Sequence, residues 1–226
     1  MSSREEISRE RAARRRLLRA LRGDVHRELQ DLATSPVKLV QVGACDGSMG
    51  DPVAAAIERW DWHGLLIEPV PQYFEELCRK YEGKGNISLI NCAIGEDEGD
   101  LTLHVLCPEA EDGYPKWVRG LASFDRSHIQ RNVDPRDVTS VRVPTRPLAK
   151  VVAEKGFGDA DVLVVDVEGA ELSVLASIDF AEFRPRVVDV ETRHLRDPAK
   201  RRLFRRLHRA GYEILDLGTD TLALRK

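Results

Sequence analysis

The chain has 226 residues, of which 42% are hydrophobic and 32% charged, and its formal net charge is -3. These values predict a globular protein with one sizeable core, and the slightly negative charge argues against general affinity for nucleic acid. No apolar run approaches the roughly 20 residues of a membrane span, and the first residues lack the apolar core of a secretion signal. We therefore expect a cytoplasmic protein without a membrane partner.

The first part of the chain, residues 1–35, is expected to form a basic helical extension ahead of a single domain over residues 36–226. Within residues 9–22, arginines surround three leucines at helical spacing, Leu17, Leu18 and Leu21. This pattern predicts an amphipathic helix. Its leucine stripe should pack on the domain or on a second copy of it, which leaves homo-oligomerisation open.

Beyond residue 36 the sequence alternates between strand-like and helix-like patterns. Strands are predicted at residues 37–42, 64–67, 87–94 and 100–106, an edge strand at 141–145, buried strands at 161–166 and 186–191, and a closing hairpin at 213–217 and 222–224. Helices are predicted at residues 52–59, 71–81, 148–155, 169–178 and 198–210. Repeated strand–helix units predict an α/β fold with a doubly wound, mostly parallel sheet and an antiparallel C-terminal strand.

Residues 107–140 interrupt this alternation. The segment contains aromatic and charged residues but little periodicity. Long irregular segments inside compact domains usually carry function, so we expect a lid-like insertion over a site, and an unstructured insertion is the alternative.

A glycine-containing turn follows the first predicted strand, and Glu68 ends the second. The turn runs from Gly43 to Gly47 and includes Asp46. In a parallel α/β sheet, glycine at the first strand-to-helix turn lets the backbone approach a ligand, and an acidic residue at the end of the next strand can accept hydrogen bonds from both ribose hydroxyls. The pair therefore predicts a site for a nucleoside cofactor.

The chemistry of the turn distinguishes between two cofactors. The dinucleotide fingerprint requires Gly-x-Gly-x-x-Gly, and the best-placed register here has Cys45 at its first glycine. Asp46 would repel a pyrophosphate but attract the ammonium and sulfonium groups of S-adenosylmethionine. The turn thus favours methyl transfer, and a nicotinamide-dependent oxidoreductase is the alternative enzyme.

Acidic residues also follow the ends of the later buried strands. Asp166 and Glu168 follow one of them, and Glu191 ends the next, with His194 shortly after it. Asp166 could cap the next helix, and Glu191 could pair with an arginine. The functional hypothesis is that Asp166, Glu191 and His194 converge over the methyl donor and deprotonate or orient a substrate hydroxyl, with His194 best suited at neutral pH. Asp166 and Glu191 could instead hold Mg²⁺, so a divalent metal stays open.

Five short motifs occur in order between residues 38 and 194. They are Val-Gly-Ala-Cys-Asp-Gly at 42–47, Leu-Ile-Glu-Pro at 66–69, Cys-Ala-Ile-Gly at 92–95, Val-Pro-Thr at 143–145 and Val-Asp-Val-Glu-Gly-Ala-Glu at 165–171. Together they resemble the FkbM-type methyltransferases. The resemblance implies a Rossmann-like, class I methyltransferase fold that uses S-adenosylmethionine, commonly on a hydroxyl of a natural product or sugar.

The same resemblance assigns cofactor-binding roles by position. It implies that the turn Gly43, Ala44, Asp46 and Gly47 holds the methionine part, that Glu68 with Pro69 holds the ribose, and that Ala93 and Ile94 line the adenine edge. It also implies that Ser123 lies near the cofactor. Two departures concern Gln41, where the family often has an acidic residue, and Val164, near which it often has a lysine.

The sequence therefore predicts an O-methyltransferase acting on a small-molecule substrate. Its catalytic candidates are Asp166, Glu191 and His194. A catalytically silent nucleoside-binding or scaffolding protein, using the arginine-rich helices for partners, is the alternative from a different class.

Overall fold

The computed structural model describes residues 37–48, 51, 53–54, 57–58 and 61–226. All of these except Val37 belong to one compact unit, Lys38–Lys226. The predicted basic extension, including the helix at residues 9–22, lies outside the described residues. The predicted helix at residues 52–59 lies partly outside them, and residues 54, 57 and 58 of that segment are helical.

The residues that the structure describes form ten strands in two sheets. They are β1 (Lys38–Val42), β2 (His63–Ile67), β3 (Ile87–Ile90), β4 (Ala93–Ile94), β5 (Gly99–Leu106), β6 (Val138–Arg146), β7 (Val162–Val165), β8 (Val187–Glu191), β9 (Tyr212–Asp216) and β10 (Asp220–Arg225).

The larger sheet has seven strands in the order β3-β2-β1-β7-β8-β10-β9. Neighbouring strands from β3 to β8 are parallel, whereas β10 is antiparallel to both β8 and β9. This arrangement confirms the predicted doubly wound, mostly parallel sheet with an antiparallel C-terminal strand. The strand order reverses between β1 and β7, and ligands of such sheets bind at the carboxyl ends of the strands next to this point.

Helices cover the sheet through short apolar stripes. They are α1 (Pro71–Lys80), α2 (Arg126–Ile129), α3 (Leu148–Lys155), α4 (Glu171–Ala176) and α5 (Asp197–Arg209). In α5 the stripe consists of Leu203 and Leu207, which pack with β7 and β8 residues in the main core. Because helices cover the central strands, β7 is apolar and buried at every position. None of the helices that the structure describes is long and apolar enough to cross a bilayer.

The smaller sheet has the order β4-β6-β5 and corrects two strand predictions. The strand predicted at residues 87–94 is split, because the Asn91 side chain donates to the Glu68 and Pro69 carbonyls and the chain leaves the larger sheet there. The predicted edge strand is instead the middle strand β6, although β4 pairs only with its last two residues, Thr145 and Arg146.

Residues 107–140 are ordered around a small core of their own. Three short 3₁₀ helices, Pro108–Gly113, Lys116–Gly120 and Pro135–Asp137, accompany α2. They bury a cluster of apolar side chains that includes Val118, Leu121, Ile129 and Val133. The segment thus has regular structure, and its role as a lid stays a prediction.

Candidate functional site

A cleft opens at the carboxyl ends of β1, β2 and β7, beside the point where the strand order reverses. Its lining includes Gly43 after β1, Glu68 after β2, Ala93 and Ile94 of β4, and Asp166 after β7. The ordered insertion contributes Gly120, Ala122 and Phe124. The cleft is therefore shared by the sheet and the insertion.

The turn after β1 is fixed by close backbone packing. Gly43 has φ 88°, and a Cβ atom at this position would lie 1.8 Å from the carbonyl oxygen of Asp166. The amides of Gly43 and Ala44 both donate to the carbonyl oxygen of Ile67, at 3.0 and 3.1 Å. Glycine is thus required here because β1 and β7 leave the sheet almost in contact.

Glu68 is held in place by two backbone amides. Its Oε2 accepts a hydrogen bond from the Cys45 amide, and its Oε1 accepts one from the Val70 amide, both at 2.8 Å. Burial, with a smaller contribution from the nearby Asp46 charge, raises the pKa of the Glu68 carboxyl to about 7, although the two backbone hydrogen bonds lower it. Each carboxylate oxygen keeps a second lone pair, so the fixed carboxylate can still accept hydrogen bonds from a ligand.

The predicted cofactor residues separate into two groups. Five of them line the cleft, namely Gly43, Glu68, Pro69, Ala93 and Ile94. The other four, Ala44, Asp46, Gly47 and Ser123, do not contribute to this lining. Ser123 is buried behind the cleft wall and exchanges backbone hydrogen bonds with His104 of β5, while its neighbours Ala122 and Phe124 face the cleft.

Arg119 of the insertion explains where Asp46 points. The guanidinium lies 3.7 Å from the Asp46 carboxylate, 2.7 Å from that of Glu76 and 3.0 Å from that of Glu111. It also lies over the Tyr73 ring, at 4.9 Å from the centroid. Arg119 therefore ties the insertion to α1 and to the turn. Because it balances part of the Asp46 charge, the electrostatic distinction between cofactors drawn from that residue loses force.

The acidic residues after β7 and β8 form a compact cluster. Asp166 is exposed at the cleft, whereas Glu168 and Glu191 are 9% and 8% exposed. Burial, followed by the charges of Asp166 and Glu168, raises the pKa of Glu191 to about 9. The Asp166 and Glu191 carboxyl groups share a hydrogen bond, which requires one proton between them.

Two structural interpretations of these acids have different outcomes. The N-cap of α4 is Ala170 and no side chain caps this helix, so Asp166 is not the predicted cap. The helix begins at Glu171, later than predicted, because Glu168 and Gly169 have φ 52° and 107°, which a helix does not tolerate. Glu191 does pair with an arginine, since Arg193 Nε lies 2.7 Å from its Oε1.

Two histidines complete the cluster. His194 Nε2 lies 3.1 Å from Glu168 Oε2 and 3.6 Å from Glu191 Oε2. Burial, followed by the Arg193 charge, lowers the pKa of His194 to about 4, which disfavours it as the proton acceptor at neutral pH. His128 of α2 lies 3.5 Å from the same Glu168 oxygen. No sequence pattern pointed to His128, because the irregular insertion has no periodicity that would place it.

Comparison with known proteins places the chain in a family. The model of the methyltransferase FkbM domain matches residues 41–214. The chain belongs to the FkbM methyltransferase family. This confirms the resemblance seen in the five motifs and disfavours the oxidoreductase alternative. A comparison with curated proteins found no match.

Several solved structures are similar to this FkbM-family chain at low sequence identity. The FkbM methyltransferase of Methylobacillus flagellatus KT is 17% identical with a TM-score of 0.50, over 86% of this chain and 45% of that one. The chain thus spans less than half the length of that protein. Aeropyrum pernix fibrillarin with natively bound S-adenosyl-L-methionine is 15% identical, with a TM-score of 0.41 over 88% of this chain and 73% of that one. A human methyltransferase 10 domain containing protein is 13% identical, with a TM-score of 0.45 over 90% and 80%.

Proposed function

We propose that this FkbM-family protein transfers a methyl group from S-adenosylmethionine to a hydroxyl oxygen of a small molecule, such as a natural product or a sugar. The observation that carries the proposal is a single cleft with the fixed carboxylate of Glu68 and the exposed carboxylate of Asp166 in its lining. One can hold a nucleoside, and the other can take a proton.

The lining residues fit the methyl donor. S-adenosylmethionine supplies an electrophilic methyl group on its sulfonium. Glu68, with both oxygens fixed by backbone amides, is positioned to accept the ribose hydroxyls. Ala93 and Ile94 are buried apolar residues that offer a flat wall for the adenine. Gly43 lines the cleft at the first strand-to-helix turn, where related folds bring backbone close to the ligand, and we assign the methionine part to this turn.

Asp166 is the group that we assign to proton removal. Its side chain is exposed in the cleft lining, so it can reach an acceptor hydroxyl there. Its carboxyl shares a hydrogen bond with Glu191, which orients it. As the acceptor oxygen attacks in line, a positioned carboxylate can take its proton, and positioning supplies much of the remaining rate.

Phe124 extends the cleft towards the acceptor. It comes from the insertion, lines the cleft and is 40% exposed, which is unusual for a large apolar side chain. An exposed aromatic ring at the mouth of a site favours an acceptor that presents an apolar face beside its hydroxyl.

Product analysis tests the proposal. The chain is incubated with methyl-deuterated S-adenosylmethionine and a panel of polyketide, sugar and phenolic alcohols, and products are identified by mass spectrometry and NMR. We expect a methyl ether. Methyl transfer to nitrogen or carbon would agree with a methyltransferase but contradict oxygen as the acceptor atom. Binding of S-adenosylmethionine without methyl transfer to any acceptor would favour the catalytically silent nucleoside-binding alternative.

A further inference from the structure

The cluster formed by His128, Glu168 and His194 has the composition of a metal site. One nitrogen or oxygen from each residue lies within 4.8 Å of the others. The three residues come from separate parts of the chain: α2 of the insertion, the loop after β7 and the loop after β8. Their convergence at one point is therefore a property of the fold and not of a local sequence pattern.

The separations between these atoms match those between ligands of one ion. Ligands that lie about 2.1 Å from a metal at angles of 90–110° are about 3.0–3.4 Å apart. Glu168 Oε2 lies 3.1 Å from His194 Nε2 and 3.5 Å from His128 Nε2. These two separations lie in or close to that range, and the two imidazole nitrogens lie within 4.8 Å of each other.

An unsatisfied oxygen points into this cluster. Glu168 Oε2 is buried and accepts no hydrogen bond from the residues that the structure describes. Glu168 as a whole is 9% exposed, and its backbone is held at φ 52°, which a residue other than glycine or asparagine rarely adopts. A strained backbone that aims an unsatisfied carboxylate oxygen between two imidazoles needs a compensating interaction.

The histidine nitrogen beside this oxygen is in conflict with its neighbours. Arg193 Nε lies 2.8 Å from His194 Nε2, so that nitrogen must offer a lone pair to the arginine. The Glu168 oxygen on its other side requires a proton on the same nitrogen. One imidazole nitrogen cannot offer a lone pair and carry a proton at the same time. A cation next to it accepts the lone pair and neutralises the carboxylate.

Arg193 places a positive charge at this site, but its side chain is bound there only weakly. Its side chain is 50% exposed, and it contacts Glu191 at 2.7 Å and Glu168 at 3.8 Å. An exposed arginine can turn into solvent at small cost. We therefore treat its guanidinium as a competitor of the ion for the same acidic and imidazole groups.

The ligand types narrow the choice of ion. Mg²⁺ and Ca²⁺ prefer oxygen ligands, whereas two imidazoles with one carboxylate suit first-row transition ions such as Mn²⁺, Fe²⁺, Co²⁺ or Zn²⁺. This differs from the Mg²⁺ site on Asp166 and Glu191 considered from the sequence. In the arrangement favoured here, Asp166 stays free to act as a base.

We propose that His128, Glu168 and His194 bind a divalent transition-metal ion next to the methyl-donor cleft. Its role in methyl transfer rests on the proposed function. The ion would hold the acceptor hydroxyl, Asp166 would take the hydroxyl proton, and the oxygen electron pair would form the bond to the methyl carbon. The carbon–sulfur bond breaks at the same time, and its electron pair stays on sulfur as S-adenosylhomocysteine leaves.

The site is tested by titrating the chelator-treated full chain with Co²⁺ and following its visible absorption, with calorimetry of Mn²⁺ and Mg²⁺ in parallel. We expect one Co²⁺ per chain, Mn²⁺ binding and clearly weaker Mg²⁺ binding. His128→Ala and His194→Ala should each weaken Co²⁺ binding at least tenfold. Removing the competitor in Arg193→Gln should tighten Co²⁺ binding several-fold, and His208→Ala, at an exposed position on α5, is the matched control.

The outcomes separate the metal site from the proposed function. Failure of Co²⁺ to bind, or binding that both histidine substitutions leave unchanged, overturns the site whether or not S-adenosylhomocysteine binds. Co²⁺ binding that depends on the histidines, in a chain that does not bind S-adenosylhomocysteine, upholds the site and overturns the function. Where the melting temperature of an alanine variant falls, His128→Gln and His194→Gln repeat the test with a more conservative change.

Discussion

The two sides of the cleft are built in opposite ways. On the side of β1 and β2, Glu68 has both oxygens satisfied by backbone amides, and the turn at Gly43 is closed by backbone contacts. On the side of β7 and β8, Glu168 has a buried oxygen without a hydrogen bond, and His194 faces conflicting partners. Polar groups whose hydrogen bonds are already made hold the cofactor, which is the same in every reaction. Polar groups without a hydrogen-bond partner are available for an ion, a proton or the acceptor substrate.

Asp166→Asn tests the side of the cleft at β7 and β8, which carries the proposed base, and should have the largest effect. The amide keeps the size of the side chain but cannot take a proton, so we expect turnover to fall by roughly 10²–10⁴-fold. Affinity for S-adenosylhomocysteine, measured by calorimetry, should stay nearly unchanged because the ribose side is intact. Near-normal turnover in a stably folded variant would show that Asp166 is not the base.

Gly43→Ala tests the contact between the two sides. A Cβ atom there would lie 1.8 Å from the Asp166 carbonyl oxygen, so β1 and β7 must separate. We expect a loss of at least about 3 kcal/mol in the free energy of unfolding, measured with urea.

Gly83→Ala is the matched control for that substitution. Gly83 also has a positive φ, 75°, but an added Cβ would meet nothing within 4 Å. The loss there should be only about 1 kcal/mol, from backbone strain. Equal losses at the two glycines would mean that the close contact at Gly43 has no energetic weight.

Glu68→Ala tests the satisfied side. Loss of hydrogen bonds to a charged acceptor should weaken binding of S-adenosylhomocysteine by about 1.5–3 kcal/mol. NAD should bind far more weakly than S-adenosylhomocysteine to the unaltered chain. Unchanged S-adenosylhomocysteine affinity in the variant, or tighter NAD binding by the unaltered chain, would remove Glu68 from the ribose site.

The pH dependence of stability gives the most specific effect, and per pH unit it is also the smallest. Folding raises the pKa of Glu68 from 4.5 to about 7, so the folded state holds this proton more tightly than the unfolded chain. The stability it contributes is complete below about pH 4.5 and is lost as the pH rises towards about 7, at about 1 kcal/mol per pH unit. Glu68→Gln removes this titration.

The stability of Glu68→Gln relative to the unaltered chain should therefore increase with pH across this window and then level off. Urea unfolding at a series of pH values measures the difference. The same substitution at the exposed Glu82 is the control. A difference that does not change with pH would show that the buried carboxyl titrates normally.

The side of the cleft at β1 and β2 could be predicted from the sequence, and most of the side at β7 and β8 could not. The turn at Gly43 and the acid at Glu68 lie at the ends of adjacent strands, so strand order alone brings them together. His128 lies next to Glu168 only because of how the insertion packs, and the sequence of the insertion has no hydrophobic periodicity that would predict this packing. Arg119 beside Asp46 is likewise a contact between distant segments, and it changes the meaning of a charge that the sequence shows alone.

Some errors in the predicted fold have local physical causes. Hydrogen bonds from the Asn91 side chain end β3 inside a segment that is otherwise mostly apolar. Positive φ angles at Glu168 and Gly169 delay the start of α4. Glycine often adopts a positive φ, but glutamate rarely does, so the sequence does not indicate this conformation at Glu168. Backbone strain of this kind occurs where a side chain is aimed at a ligand, which is why it escapes propensity arguments.

A crystal structure of the full chain with S-adenosylhomocysteine is the decisive experiment. We expect that the ribose hydroxyls bond to the Glu68 carboxylate, that the adenine lies against Ala93 and Ile94, and that the sulfur faces Asp166 across the cleft. A nucleoside bound elsewhere, or a ribose in the cleft that does not contact Glu68, would contradict it.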